Sequence, residues 1–273
     1  MTGKAIELQP RKKDPAPPPS DRPRWTTPVP DPMTPVEMEA SPSVTRMFGL
    51  TIDGKYRLDD LIGRGGRGGV YKGEHVGLGR EVAVKVLLRG HEAGSAAKKR
   101  FQREARAAGT IGHPNIVQVF DLGTLPDGVP YIVMELLEGE NLLDLIRRGP
   151  VAPDEASWIV GEVLQGLAHA HQAGVVHRDL KPSNILIRRT SSGPQAVVTD
   201  FGLVKALDAT TLTSTGYTLG TPAYMAPEQV MADGEVTART DVYALRIVLL
   251  VLLTGEIPFR RDNPLSMLYA RLC

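Results

Sequence analysis

From Tyr56 onward the chain alternates apolar and polar positions in short runs broken by glycine. The alternation predicts strands over residues 56–62, 69–74 and 81–88, the last rich in branched side chains. The spacing then changes. Phe101, Glu104 and Ala108 recur at helical intervals and predict a helix over 96–111, followed by strands over 117–124 and 131–135. Beyond Gly139 the helical period dominates, with helices predicted over 142–147, 153–173 and 241–253. A strand-rich front carrying one helix, followed by a helix-rich back, reads as α+β with two lobes. No internal repeat is evident.

Ahead of this pattern the periodicity disappears. Eleven of the 22 prolines fall at or before Pro42, including the run Pro17-Pro18-Pro19. Prolines at that density remove backbone donors and bar their neighbours from the α region, so neither helix nor sheet propagates. Residues 1 to about 48 therefore read as a disordered, proline-rich tail. Thr27, Thr34 and Ser41 each precede a proline, and Pro15 and Pro18 have PxxP spacing. Both a docking or phosphorylation role and a passive leader stay open.

Composition adds limits. With 42% hydrophobic and 23% charged residues in 273, there is ample material for a core. A formal net charge of +1 gives no reason to expect a nucleic-acid partner. The only cysteine is Cys273, which excludes an internal disulfide and a cysteine-rich zinc site and fits a reducing cytoplasm. His169 and His171 are two apart, so on a helix they would not share a metal-binding face. The longest apolar run, 247–253, has seven residues, far short of the about 20 a membrane helix needs. No membrane segment is expected, nor a signal peptide, because Met1 to Pro10 has no apolar core.

Five stretches carry candidate chemistry. Ile62-Gly63-Arg64-Gly65-Gly66-Arg67-Gly68-Gly69-Val70 has the spacing G-x-G-x-x-G-x-V, in which bare glycines let backbone amides approach phosphate oxygens. A dinucleotide-binding turn would open a helix, but Val70-Tyr71-Lys72 continues as a strand, and the Gly-Lys-Ser/Thr of a Walker loop is absent. On its own the stretch could equally be a glycine-rich hairpin. Lys85 ends Val82-Ala83-Val84-Lys85, where alternation turns it away from the face that buries Val84. Next come His177-Arg178-Asp179-Leu180-Lys181-Pro182-Ser183-Asn184 and, sixteen positions after Asn184, Asp200-Phe201-Gly202. The fifth, Gly220-Thr221-Pro222-Ala223-Tyr224-Met225-Ala226-Pro227-Glu228, closes a hydroxyl-rich segment.

In this order the stretches resemble the protein kinases, and from about Tyr56 to the end of the chain the bacterial, eukaryotic-like serine/threonine branch. The resemblance implies a bilobal fold: an N-lobe over about 56–135, a hinge over about 135–139 and a C-lobe over about 140–273 that lacks its last helices. It implies Mg-ATP as phosphoryl donor, with Mn2+ as a substitute metal, and proteins bearing Ser or Thr as acceptors. Asp179 would be the catalytic base and Lys181 would lie against the γ-phosphate; Asn184 and Asp200 would hold the metal through oxygen. Residues 62–70 would cover the phosphates, and Lys85, held by Glu104, would grip them. Met134 would stand behind the adenine, the backbone of Glu135 to Leu137 would bond its edge, and Val70, Ala83 and Leu186 would sandwich the ring.

The resemblance also implies an activation segment with autophosphorylation at Thr211, Thr213, Thr215 or Thr218, beside an Arg178 able to pair with the phosphate, and a homodimer that would phosphorylate in trans. Two departures are visible. The arginine that family members pair with the glutamate matched by Glu228 is missing, and Arg246 stands where the family has glycine, on a helix otherwise apolar enough to be central. A buried unpaired arginine would cost several kcal/mol, so Arg246 is expected to reach solvent or a carboxylate. An inert, kinase-like scaffold is therefore the rival reading. Against it, Lys85, Asp179, Asn184 and Asp200 are all present.

Overall fold

The computed structural model describes residues 47–65, 68–87, 103, 105–201, 222–231, 234–261 and 264–270. Glu104, Gly66, Arg67, Thr211, Thr213, Thr215 and Thr218 lie outside the described residues.

Six strands form the front sheet: β1 Thr51–Ile52, β2 Tyr56–Gly65, β3 Gly68–His75, β4 Arg80–Val86, β5 Val119–Thr124 and β6 Pro130–Glu135. Their order is β1-β2-β3-β4-β6-β5, antiparallel throughout. Alternation along β4 works as expected. Val82, Val84 and Val86 point into one core with Leu58, Tyr71, Tyr131 and Val133, while Ala83 packs on the opposite face against Val117, Met134 and Val197. Met47 is buried in the front core and β1 pairs with β2.

Gly68 is a glycine for steric reasons. Its φ is 152°, and a Cβ there would stand 1.9 Å from the carbonyl oxygen of Val86 on the neighbouring strand.

Residues 105–109 are helical, and Ile111, placed inside this helix by the spacing, lies beyond its end. The strand expected to start at Val117 starts at Val119, because Val117 and Ile116 are engaged by the back half of the molecule. The Val117 N–H donates to Val198 O, the Val198 N–H donates to Asn115 O, and Ile116 bridges to Val198 in parallel.

The back half holds a second sheet, β7 Gly139–Asn141, β8 Ile185–Thr190 and β9 Gly193–Val198, which the sequence pattern did not reveal. Its helices are α1 Leu142–Arg147, α2 Pro153–Gln172, α3 Ala238–Thr254 and α4 Pro264–Tyr269. α1 is capped by the Asn141 side chain, which accepts from the Asp144 N–H. α2 has proline in its first turn and buries Ala156, Ile159, Val163, Gly166, Leu167 and Ala170 at helical spacing. Gly166 lets the 113–117 segment approach, since a Cβ there would be 3.0 Å from Asn115 O. α3 starts three residues before the expected Asp241, because Thr237 and Thr240 form a capping box; it ends at Gly255, whose φ of 72° suits only glycine well. Ala244, Leu245, Ile247, Val248, Val251 and Leu252 bury α3 in the back core, and Arg246 reaches solvent as expected. Among the described residues no helix is long and apolar enough to cross a membrane.

Candidate active site

Where front sheet and back half meet, a small apolar seam is built from both. Ala83 of β4 and Met134 of β6 pack with Val117 and with Val197 of β9, and Val70, Leu136 and Leu137 cover its edges. Leu186 sits on β8 opposite Val197, partly buried beside the same seam. Of the backbone expected to bond an adenine edge, the Glu135 N–H is already spent on Gln118 O, and the Glu135 side chain accepts from Arg188 at 2.7 Å.

At the front of the seam β2 and β3 pair as far as Gly65 opposite Gly68. Gly63 lies opposite Val70 and Arg64 opposite Gly69, while the Ile62 side chain is exposed. The described part of the glycine stretch is thus the end of the β2–β3 ribbon.

Lys85 pairs with Val70 on one side and Ile132 on the other, which aims its side chain off the sheet. Its Nζ lies 2.6 Å from Asp200 Oδ2, with the lysine only 16% exposed. Burial alone would push the Asp200 carboxyl up. The Lys85 ammonium, helped by Lys181 and His177, more than offsets that and holds it below the usual carboxylate range. Asp200 therefore stays ionised, at φ 61°, a left-handed conformation that costs a non-glycine residue about 1–2 kcal/mol.

Lys181 links Asp200 to the next carboxylate, its Nζ standing 3.1 Å from Asp179 Oδ2. Asn184, 4% exposed, donates its Nδ2–H to the Asp179 carbonyl at 2.8 Å. With its N–H committed there, Asn184 has the Oδ1 oxygen to give a cation. Its own carbonyl accepts from the Thr199 N–H at 2.8 Å, which sets Asn184 beside the residue preceding Asp200. Lys85, Asp200, Lys181, Asp179 and Asn184 are thus joined by direct contacts or one intervening residue, although they come from three separate stretches of chain.

A buried scaffold supports the turn bearing Asp179. Arg178 has φ 66°. The Asp241 carboxylate, 1% exposed, accepts the N–H groups of His177 and Arg178, each at 2.8 Å, and meets His171 Nε2 at 2.7 Å. His177 is fully buried, with Nε2 2.8 Å from Thr199 O, Nδ1 accepting from the Asp179 N–H at 3.2 Å, and its ring against Phe201. On the far side Gln229 donates to Arg178 O, and Glu228 accepts from Thr240 Oγ1 at 2.7 Å. Sequence reasoning missed Asp241, His171 and Gln229 as parts of the site. Only Asp241 left a signal, a carboxylate at the head of an apolar helix.

The donor set fits a hard divalent cation. Asp200 offers an ionised carboxylate and Asn184 an amide oxygen, and no group of three or more His, Cys, Asp or Glu among the described residues could hold a metal alone. An ion of that kind would complete its shell with substrate oxygens and water.

A family model described as "Protein kinase domain" matches residues 56–271. The serine/threonine-protein kinase PrkC of Bacillus subtilis is 44% identical over 222 residues, covering 81% of this chain and 34% of PrkC. The serine/threonine-protein kinase PknL of Mycobacterium tuberculosis is 44% identical over 223 residues, covering 81% of this chain and 54% of PknL. This chain therefore spans about a third to a half of the length of these relatives. The crystal structure of the M. tuberculosis PknI kinase domain superposes with a TM-score of 0.65 at 30% identity, covering 79% of this chain and 78% of that one.

Proposed function

The chain belongs to the protein kinase family and has its bilobal fold, and from that premise we propose that it is a serine/threonine protein kinase using ATP as phosphoryl donor. The family implies ATP and a divalent metal; Mg2+ is the metal proposed here, with Mn2+ able to replace it. One observation carries the reading: Lys85, Asp200, Lys181 and Asp179 form a continuous run of ion pairs and close charges at the edge of an apolar seam.

In this reading the seam of Val70, Ala83, Met134 and Leu186 takes the adenine, and the ribbon of 62–70 covers the phosphates. Lys85 is released from Asp200 when it grips them. Glu104, outside the described residues, would then be its partner. The metal, held by Asn184 and Asp200, would neutralise phosphate charge. Asp179 orients the acceptor hydroxyl and receives its proton, while Lys181, already beside Asp179, stabilises charge on the moving phosphoryl group. Autophosphorylation within Thr211, Thr213, Thr215 or Thr218, in trans between two copies, is part of the proposal, as is a cytoplasmic site of action, where ATP is supplied. The retained Lys85, Asp179, Asn184 and Asp200 weigh against an inert scaffold.

The test is transfer of label from radiolabelled ATP to the protein itself and to a generic basic protein, wild type beside Asp179→Asn. Loss of the base is expected to slow transfer by about 10² to 10⁴. Equal labelling by both would overturn the reading. Phosphopeptide mapping of the incubated wild type tests the loop sites; absence of phosphate between residues 203 and 221 would remove them from the proposal.

A further inference from the structure

Resting on the kinase reading just given, we infer that Gln229 is a positioning residue for the catalytic turn, fixing the peptide plane from which Asp179 projects. The inference comes from how the backbone around Arg178 is held. A peptide group is a rigid plane, so fixing its oxygen and its N–H fixes its orientation. The plane joining His177 to Arg178 is pinned through its N–H, which donates to Asp241 Oδ1 at 2.8 Å. The plane joining Arg178 to Asp179 is pinned at both ends. Its N–H donates to His177 Nδ1 at 3.2 Å, and its carbonyl accepts from Gln229 Nε2 at 2.7 Å.

Arg178 sits between these planes at φ 66°, where a non-glycine backbone relaxes unless its surroundings hold it. Rotation of the second plane would swing the Asp179 carboxylate away from Lys181 and draw its carbonyl off Asn184. Gln229 is well placed to prevent this because its own amide cannot flip. Its Oε1 accepts from the Ala226 N–H at 3.1 Å, which leaves the NH₂ facing Arg178 O. Gln229 closes the short 3-10 turn Pro227–Gln229, directly after the hydroxyl-rich segment. A small cavity lined by Arg178, Asp179, Met225, Gln229, Thr240 and Ala244 adjoins the contact. The amide thus ties the segment that ends near Ala226 to the turn that carries the base.

Two near-isosteric variants test this. Gln229→Glu keeps the acceptor for the Ala226 N–H but sets an oxygen against Arg178 O; Gln229→Met keeps length and removes both bonds. Each is expected to lower kcat for phosphoryl transfer by roughly tenfold or more, with the KM for ATP within about twofold of wild type. Each should also speed deuterium uptake in a peptide spanning 177–181, with uptake across 56–86 unchanged. Wild-type kcat in either variant, unchanged uptake across 177–181, or a uniform rise in uptake throughout the back half would overturn the inference. A wild-type protein that transfers no phosphate would sink the kinase reading instead, and the exchange measurement would still decide the role of Gln229.

Discussion

Lys85 Nζ and Asp200 Oδ2 stand 2.6 Å apart across the junction of the front sheet and the back half. Breaking this ion pair has two separable consequences. On the proposed role of Lys85 in gripping phosphate, Lys85→Met is expected to lower transfer at least about a hundredfold. The second consequence is electrostatic. In the wild type the Asp200 carboxyl is held low, so its contribution to stability is present above the ordinary carboxylate range and is lost as pH falls through the depressed value. Without Lys85, burial acts with less opposition and the carboxyl moves up from its depressed position. The deficit in Tm of Lys85→Met relative to wild type should therefore narrow as pH is lowered from neutral through and below the ordinary carboxylate range. A deficit independent of pH would refute this account.

Asp241 is a buried acid that accepts two backbone N–H groups and meets the ring of His171. Asp241→Leu removes the acceptor and strands those donors away from water. We expect a loss of about 3–5 kcal/mol in urea unfolding, together with loss of transfer, because the turn before Asp179 would no longer be held. Asp241→Asn, which keeps one acceptor oxygen, should lose less.

The glycines of the ribbon divide by cause. An added Cβ at Gly63 would meet Val70 at an ordinary 3.6 Å, whereas at Gly68 it would collide with the Val86 carbonyl at 1.9 Å. Gly68→Ala is therefore expected to lower Tm by several degrees with or without nucleotide. Gly63→Ala should leave Tm almost unchanged and act on the KM for ATP, where a methyl group would stand between backbone and phosphate. Thermal melts and a Michaelis series on the two variants check the division.

His113 gives the fold a sensitivity to mild acid. Its pKa is lowered first by burial and then by the neighbouring His169, with rings 5.1 Å apart, although Glu162 pulls the other way. The Asn115 N–H donates to His113 Nδ1 at 3.2 Å, an acceptor that a protonated ring no longer has. The folded chain thus binds fewer protons than the unfolded chain between the lowered value and about 6.5, and stability falls as pH drops through that window. A Tm series from pH 7.5 to 5 should show a decline that is shallower in His113→Gln.

Much of this was legible in the sequence, and the physics says which part. Alternating valines in β4 fixed the face from which Lys85 leaves, because a strand has a period of two and no other way to bury Val82 and Val84 together. Asp179, Asn184 and Asp200 could be picked out because each lies in a short linear run. The β7–β9 sheet could not, since its strands have three to six residues and include polar positions such as Arg188 and Gln195. Gln229 and His171 were equally hidden. Their partners, Arg178 O and Asp241, are distant in the chain, and a backbone carbonyl carries no sequence signature.

The amide–carbonyl links between residues 115–117 and Val198 carry a mechanical implication. They rivet the stretch that follows the front helical segment to β9, and β9 runs two residues later into Asp200. A load applied to residues 105–109 would therefore reach the carboxylate facing Lys85 through two short lengths of backbone.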